Sequence, residues 1–369
     1  MDWTDAHYRQ LARTLSRRAV LYTEMVVDAT VLHAEDKDRH LAFPAGQRPL
    51  VFQVGGSDPA KLAAAAAIAA SYGYDEINLN CGCPSSRVAG AGCFGAKLML
   101  DPPRVAAAVA AMAAAAPGIP ITVKCRLGVD DVDSYEELTA FVGAVAAAGV
   151  SHIVVHARKC LLDGLSPAQN RTVPPLRHGW VYALARDFPW VGFTLNGGVG
   201  DLATAAAALA AAPAAAAAPA RATPLIAGVM IGRAAYHDPW RTLAGADVGL
   251  WGDAAPAVGS RREALAAYAS YAATVQRPAD GGKLRPPTRA LVAPLLGLFH
   301  SEPGGRRWRA AVDAALKQPG ATVASVLDAT LGALDGGVLD AAPAPWRGAD
   351  PAWSPGDVPP PAGAGAVEE

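Results

Sequence analysis

The sequence predicts an α/β fold: a (β/α)8 TIM barrel whose first strand is missing from the chain, followed by a C-terminal all-helical domain. Short runs of β-branched residues alternate with amphipathic or Ala-rich segments over the first 245 residues, which is typical of parallel sheets. After residue 245 only helical patterns follow. Because no early glycine fingerprint dominates, a barrel fits this alternation better than a doubly wound sheet.

Strand and helix signals support this fold along the chain. Asp58 and Pro59 begin a helix over 59–72, and the capping box of Ser134 and Glu137 begins one over 135–148. The opening "MDWTD" has the pattern of a loop and helix start that should follow a strand, so we expect the first strand to precede it. Seven strands are predicted, at 21–26, 50–54, 76–82, 121–126, 152–158, 193–198 and 228–233.

The domain boundaries follow changes in composition. We expect a catalytic barrel domain at 1–245 and a helical domain at 256–335. Within the barrel, the Ala-rich stretch 203–223 contains two prolines and is interpreted as a helix running into a flexible insert. Residues 341–369 are rich in Pro and Gly and are expected to form a disordered tail. The helices of the second domain are predicted at 261–275, 286–299, 303–318 and 321–334.

Composition narrows the class of protein. The chain has 369 residues, of which 52% are hydrophobic, enough for a sizeable core. Its formal net charge of −1 indicates no general affinity for nucleic acid or membranes. Five cysteines without paired spacing favour a reducing compartment. No secretion signal or membrane span is recognisable, so we expect a cytoplasmic protein without membrane association, or a plastid or mitochondrial one if a presequence precedes the chain.

Polar residues recur near the carboxyl ends of the predicted strands. Side chains alternate between the two faces of a strand, so Asn80 faces away from Cys81, which is assigned to the layer of surrounding helices. The same alternation places Lys124, His156 and Asn196 on the inner face. Barrel enzymes keep their sites at this end, where buried polar groups meet ligands. The sequence therefore predicts a ligand site at the carboxyl mouth.

Two glycine turns after the last two strands predict a phosphate site. Gly197 and Gly198 follow one strand, and Gly232 with Arg233 follows the next. Glycine lets backbone N–H groups approach phosphate oxygens, and arginine adds a fixed charge. A phosphate at one end and polar contacts for a ring system at the other suggest flavin mononucleotide (FMN). The candidate ring contacts are Gln53 and Lys124.

Ten motifs occur in order between Met1 and about Trp308. They are "MDWTD", "LYTEMV", "QVGGSDP", "GYDEINLNCGCPSSRV", "FGAKLM", "ITVKCRLGVDDVDSYE", "HARKCLLDGLSPAQNRTVPPL", "NGG", "IGRAAY" and "LLGLFHSEPGGRRWR". With these motifs the chain resembles the tRNA-dihydrouridine synthases, and in particular their bacterial-type A branch, which acts at positions 20 and 20a of the tRNA D-loop.

The resemblance implies an oxidoreductase in which NADPH reduces FMN, hydride passes to C6 of a flipped-out uridine, and Cys83 protonates C5. It implies a monomer that binds tRNA and no metal. The implied FMN contacts are Gln53, Lys124, His156, Asn196, Gly197, Gly198, Gly232 and Arg233. The implied substrate and tRNA contacts are Asn80, Asn170, Arg171, Arg306 and Arg309. Cys93 is at most a neighbour of the substrate in a loop.

Local charge agrees with an RNA partner, since residues 256–320 contain ten Lys or Arg against four acidic residues.

Three other interpretations compete with that of a tRNA-dihydrouridine synthase. The chain could be a small-molecule flavin oxidoreductase of the dihydroorotate-dehydrogenase type, or an inactive tRNA-binding relic. Cys81 and Cys83 could also be metal ligands, although their spacing without a second pair or a nearby histidine is poor for zinc.

Overall fold

The computed structural model describes residues 3–84, 94–211, 226–278 and 284–362. Cys93 and most of the Ala-rich insert lie outside these ranges, so the predictions made for them do not enter the structural description. Within the described ranges, no helix is both long and apolar enough to cross a membrane.

A seven-stranded sheet follows the order of the chain, β1 to β7, and its neighbouring strands from β2 to β7 pair in parallel. The seven predicted strands are therefore confirmed. Sequential order with parallel pairing is the arrangement of a (β/α) barrel sheet. The strands are Leu21–Val27, Leu50–Gly55, Glu76–Cys81, Ile121–Cys125, His152–His156, Gly192–Asn196 and Gly228–Met230.

Helices alternate with these strands. Both predicted helix starts are present: Asp58 Oδ1 accepts the N–H of Ala60 at 2.9 Å, and Ser134 and Glu137 form a reciprocal capping box. The helices up to the last strand of the sheet are α1 Ala6–Leu15, α2 Asp28–His33, α3 Asp38–Leu41, α4 Pro59–Ala70, α5 Pro102–Ala115, α6 Tyr135–Ala147, α7 His178–Asp187 and α8 Leu202–Ala210. Short 3-10 helices occupy Ala45–Gln47, Gly95–Leu100 and Gln169–Arg171.

The chain forms two compact units. The barrel unit comprises Tyr22–Val199, Thr204–Gly232 and Ala349–Glu369, and the helical unit comprises Met1–Leu21, Gly200–Ala203 and Arg233–Gly348. The first helix therefore groups with the helical unit, although its sequence position lies inside the predicted domain 1–245. Its side chains explain why: His7 hydrogen-bonds to the Tyr271 hydroxyl at 2.9 Å, and the Tyr8 hydroxyl donates to Ala235 O at 2.8 Å.

The remaining elements belong to the helical unit. The predicted helix over 286–299 is divided, since an α-helix ends at Val292 and a 3-10 helix containing Pro294 continues to Gly297. The elements are α9 Arg233–His237, α10 Pro239–Leu243, α11 Ala246–Trp251, α12 Arg261–Val275, β8 Arg277–Pro278, β9 Leu284–Arg285, α13 Thr288–Val292, α14 Gly305–Ala315, α15 Val323–Thr330 and α16 Gly336–Asp340, with 3-10 helices at Ala293–Gly297 and Leu331–Ala333.

The structure describes residues 341–362 of the segment that is expected to form a disordered tail. Residues 341–362 are irregular, but they make specific contacts. In the helical unit, the Trp346 ring lies directly over the Cα of Gly249. In the barrel unit, the Trp353 ring stacks on His178 with centroids 5.9 Å apart. Two tryptophans thus supply the apolar contact area that the surrounding Pro- and Gly-rich sequence lacks.

Candidate active site

A ladder of polar side chains crosses the inner face of the sheet. Gln53 Nε2 donates to Asn78 Oδ1 at 2.9 Å, and Asn80 Nδ2 donates to Gln53 Oε1 at 2.9 Å. Asn78 Nδ2 in turn donates to the Thr122 hydroxyl at 2.8 Å. These side chains are buried, and each holds the next in one orientation. The site therefore rests on a rigid polar floor that includes the predicted residues Gln53 and Asn80.

Cys83 lies just beyond the end of β3, where Asn80 anchors it. Asn80 Oδ1 accepts the backbone N–H groups of Gly82 at 3.0 Å and Cys83 at 2.9 Å, and Cys83 O accepts Ala96 N–H at 2.9 Å. Cys83 is partly exposed, whereas Cys81 is fully buried, and this burial raises the pKa of the Cys81 thiol well above its ordinary value. Of the two, only Cys83 can reach a substrate.

Lys124 lies next to this cysteine turn, since it is in register with Asn80 on the neighbouring strand. Burial, followed by the charge of Arg126, lowers the pKa of Lys124 to about 8, while Cys125 and Cys83 act in the opposite direction. No hydrogen bond or ion pair joins its amine to any residue in the described parts of the chain. Such an amine is suited to a ligand that brings its own acceptor.

Arg126 is a residue of the site that the sequence analysis missed. Its buried guanidinium donates to Gly82 O at 3.2 Å, Lys159 O at 3.2 Å and Asn170 O at 2.7 Å. It therefore ties the turn before Cys83 to the loop that follows β5. The alternation of side chains along the strand could have predicted it. Arg126 lies two residues after Lys124 and therefore on the same face.

The His156 ring and the glycine turn after β6 fit closely together. Gly197 and Gly198 have φ of +104° and +78°, which other residues rarely adopt. A Cβ on Gly197 would lie 2.5 Å from His156 Cδ2, so only glycine lets the ring approach. His156 is in register with Asn196, whose Nδ2 donates to Met230 O at 2.8 Å. The structure thus brings the predicted His156 and the NGG turn together.

The two glycine turns carry backbone N–H groups of the kind that phosphate sites use. Across the described ranges, the backbone N–H groups of Gly197, Gly198 and Gly232 donate to no acceptor. Gly232 is exposed and has open space around its Cα. Since β6 and β7 are paired, both turns lie at the same edge of the sheet. Arg233 is exposed and begins α9, which belongs to the helical unit.

Asn170 is placed differently from the predicted tRNA contact. Its side chain is fully buried, and Nδ2 donates to Leu161 O at 2.8 Å while Oδ1 accepts Leu161 N–H at 2.8 Å. These bonds close the loop that Arg126 also holds, so Asn170 orders the loop from within. The neighbouring Arg171 is partly exposed at the end of the 3-10 helix over Gln169–Arg171.

In the helical unit, α14 presents the other predicted tRNA contacts. Trp308 is buried on its inner side against Phe299, with ring centroids 4.7 Å apart. Arg306 and Arg309 are exposed, as is Arg307, and none of the three forms an ion pair within the described residues.

Four other basic residues of the helical unit form ion pairs with acidic side chains. Buried Arg261 bonds Glu302 at 2.6 Å, and Arg262 pairs with Asp340 at 2.6 Å. Arg289 and Lys317 both pair with Asp313. By contrast, the three arginines of α14 are exposed and form no ion pair with the described residues. In the described part of the chain, no group of three His, Cys, Asp or Glu side chains could hold a metal ion.

Comparison with known proteins identifies close relatives. The dihydrouridine synthase (Dus) family model matches residues 1–331. A "tRNA-dihydrouridine(20/20a) synthase" of Xanthomonas campestris pv. campestris is 47% identical over 322 residues, covering 87% of this chain and 88% of that protein. Proteins of the same description from Shewanella oneidensis and Vibrio vulnificus are 43% and 41% identical, with coverage of 84% of both chains for the first and of 88% and 91% for the second.

Proposed function

Because the chain belongs to the dihydrouridine synthase family, we propose that its activity is the reduction of uridine to dihydrouridine in tRNA. It is a tRNA-dihydrouridine synthase, an oxidoreductase that acts on a carbon–carbon double bond. The descriptions of its relatives support uridines 20 and 20a of the D-loop as targets. They also favour tRNA over a free small molecule as the substrate.

FMN is the proposed cofactor, and the residues at the mouth of the barrel fit it. The Lys124 amine needs an acceptor such as a carbonyl oxygen of a ring system. The N–H groups of Gly197, Gly198 and Gly232 would hold the phosphate, and Gln53 and His156 are the further proposed contacts of the cofactor. When bound, FMN would supply the hydride that adds to C6 of the uridine, with NADPH as the proposed external reductant.

Cys83 is the proposed proton donor. Addition of hydride to C6 leaves an electron pair delocalised over C5 and the C4 carbonyl, and transfer of the Cys83 thiol proton to C5 completes the reduction. The resulting thiolate is reprotonated by solvent. Its neighbours Lys124 and Arg126 are cationic, so they stabilise the negative charge on the sulfur until that happens. A uridine unstacked in a loop would meet this thiol at lower cost than a duplex base.

The contact between Asn80 and Cys83 is the single observation that carries the proposal. It places a partly exposed thiol beside a buried polar floor and two cations, as proton transfer to a substrate requires.

The decisive experiment compares Cys83→Ala with Cys125→Ala, since Cys125 is fully buried. Both purified proteins would be given unmodified tRNA, FMN and NADPH, and dihydrouridine would be mapped at positions 16, 17, 20 and 20a. We expect Cys83→Ala to lower turnover at least about a hundredfold while retaining the flavin spectrum, in keeping with loss of a general acid. Cys125→Ala should remain close to wild type. Wild-type turnover in flavin-loaded Cys83→Ala would contradict the assigned role.

A further inference from the structure

A described segment near the C-terminus, residues 349–362, lies along α7 within the barrel unit. We call residues 349–362 the C-terminal strap. The Trp353 ring contacts His178 and Tyr182, with centroids 5.9 Å away in each case. Further along, Pro359 O accepts Arg186 Nη1 at 2.9 Å, and Ala362 N–H donates to Asp187 Oδ2 at 3.1 Å. The strap therefore contacts α7 at several points between Trp353 and Ala362.

The strap backbone passes close to Gly179 of α7, where a larger residue would clash with it. A Cβ at this helical position would lie 2.0 Å from Asp357 O and 3.0 Å from Val358 N. Glycine is otherwise a poor helix residue, and alanine is the best. A glycine here has a reason in the contact, because only its bare Cα lets the backbone of the strap approach so closely. The strap lies outside residues 1–331, so the family match does not account for it.

The first residue of α7 links the strap to the glycine turn at the sheet edge. His178 Nε2 donates to Gly197 O at 2.8 Å. The next residue of the turn, Gly198, packs against the same ring, since a Cβ there would lie 3.4 Å from His178 Nε2. The Trp353 ring stacks on the His178 ring, and the Nε2 atom of His178 hydrogen-bonds to the glycine turn. A continuous set of contacts thus runs from Trp353 through His178 to Gly197.

We propose that the C-terminal strap positions the phosphate-binding turn, with His178 as the positioning residue and Trp353 as its support. Trp353 restricts the His178 ring to the orientation that donates to Gly197 O. That bond holds Gly197 and Gly198 in the left-handed conformation that leaves their N–H groups for a phosphate monoester. This inference rests on the proposed function, because the phosphate is that of FMN.

The test separates the phosphate from the rest of the cofactor by comparing FMN with riboflavin, which lacks it. Dissociation constants for both are measured by flavin fluorescence on cofactor-free full-length protein. The variants are Trp353→Ala, which removes the support, and Gly179→Ala, which displaces the strap. Trp353→Phe is the conservative variant that should restore stacking. Gly143→Ala in α6 is the matched helical control, because a Cβ there meets only Phe188 at 3.8 Å.

We expect Trp353→Ala and Gly179→Ala to weaken FMN binding about fivefold, roughly the effect of one hydrogen bond, and to leave riboflavin binding unchanged. Trp353→Phe should recover most of the FMN affinity, and Gly143→Ala should match wild type for both ligands.

An unchanged ratio of FMN to riboflavin affinity in both disruptive variants would overturn the inference. This includes equal weakening of the binding of both ligands, since that result indicates general destabilisation. If the wild-type protein bound neither flavin, the proposed function itself would be contradicted, and the inference with it.

Discussion

The side-chain oxygen of Asn80 accepts the backbone N–H of Cys83 at 2.9 Å. The same side chain donates to Gln53, so the position of the thiol depends on the buried polar floor of the sheet. The resemblance implies that Asn80 is a substrate or tRNA contact, close to the uridine. The geometry supports a second role, in which Asn80 holds the reactive cysteine where β3 ends.

Replacing Asn80 should therefore impair the chemical step. We expect Asn80→Ala to lower kcat about tenfold to a hundredfold, because misplacement of a catalytic group by about 1 Å has an effect of this size. Asn80→Asp keeps the acceptor for Cys83 but loses the donor to Gln53, so it should retain more activity. Single-turnover kinetics with saturating tRNA measures this step. Equal turnover in Asn80→Ala and wild type would show that Cys83 is positioned by other contacts.

Lys124 should make the stability of the cofactor-free protein depend on pH. Its folded-state pKa of about 8 lies below the ordinary value of 10.5. Between these values the unfolded chain binds more protons, so the free energy of unfolding should rise with pH across this window, by about 3 kcal/mol in total. Below pH 8 the cost of burying the ammonium is fully present.

Lys124→Met lacks this titration and should be more stable than wild type at pH 7.5, with the difference shrinking towards pH 10. Urea unfolding of both cofactor-free proteins at the two pH values measures it. A difference that stays constant with pH would show that the amine is hydrated in the folded protein.

Asn170 should contribute to the free energy of unfolding and not to the electrostatic contacts between the protein and tRNA. Asn170→Ala leaves the partly buried Leu161 N–H and O groups of the loop without partners, which should lower the free energy of unfolding by about 1 to 3 kcal/mol. Thermal unfolding measures this loss. The salt dependence of tRNA binding should remain that of wild type. A stable variant with weakened tRNA binding would instead restore the direct contact predicted from the sequence.

Arg306 and Arg309 should behave in the opposite way. Arg306→Gln with Arg309→Gln should weaken tRNA binding and reduce the slope of log affinity against log salt by about 1.5, the value for two phosphate contacts. Stability should change little, since both side chains are exposed. Lys317→Gln is the matched control, because Lys317 already pairs with Asp313 at 2.8 Å. A salt slope equal to that of wild type in the double variant would exclude α14 from the tRNA interface.

Much of the fold could be predicted because its signals are local. The seven strands are marked by their β-branched runs, and the helix starts at Asp58 and Ser134 by capping residues that act within three positions. Alternation along single strands is sufficient to assign Lys124 and Asn80 to the inner face, whereas their register comes from the structure. Each of these inferences needs only residues that are near neighbours along the chain.

Other properties depend on residues far apart in sequence, and only the tertiary structure decided them. Arg126 reaches Gly82 and Asn170, 44 residues away in each direction, and α1 packs with α12, more than 250 residues later. The strap contacts Gly179 through backbone atoms of Asp357, which leave no mark in the pattern of side chains. The sequence by itself determined the elements and the residue types at the strand ends, because backbone propensity and alternation act locally. Which polar groups meet a ligand and which hold the loops together was decided by packing, since hydrogen-bond partners are assigned only when distant segments come together.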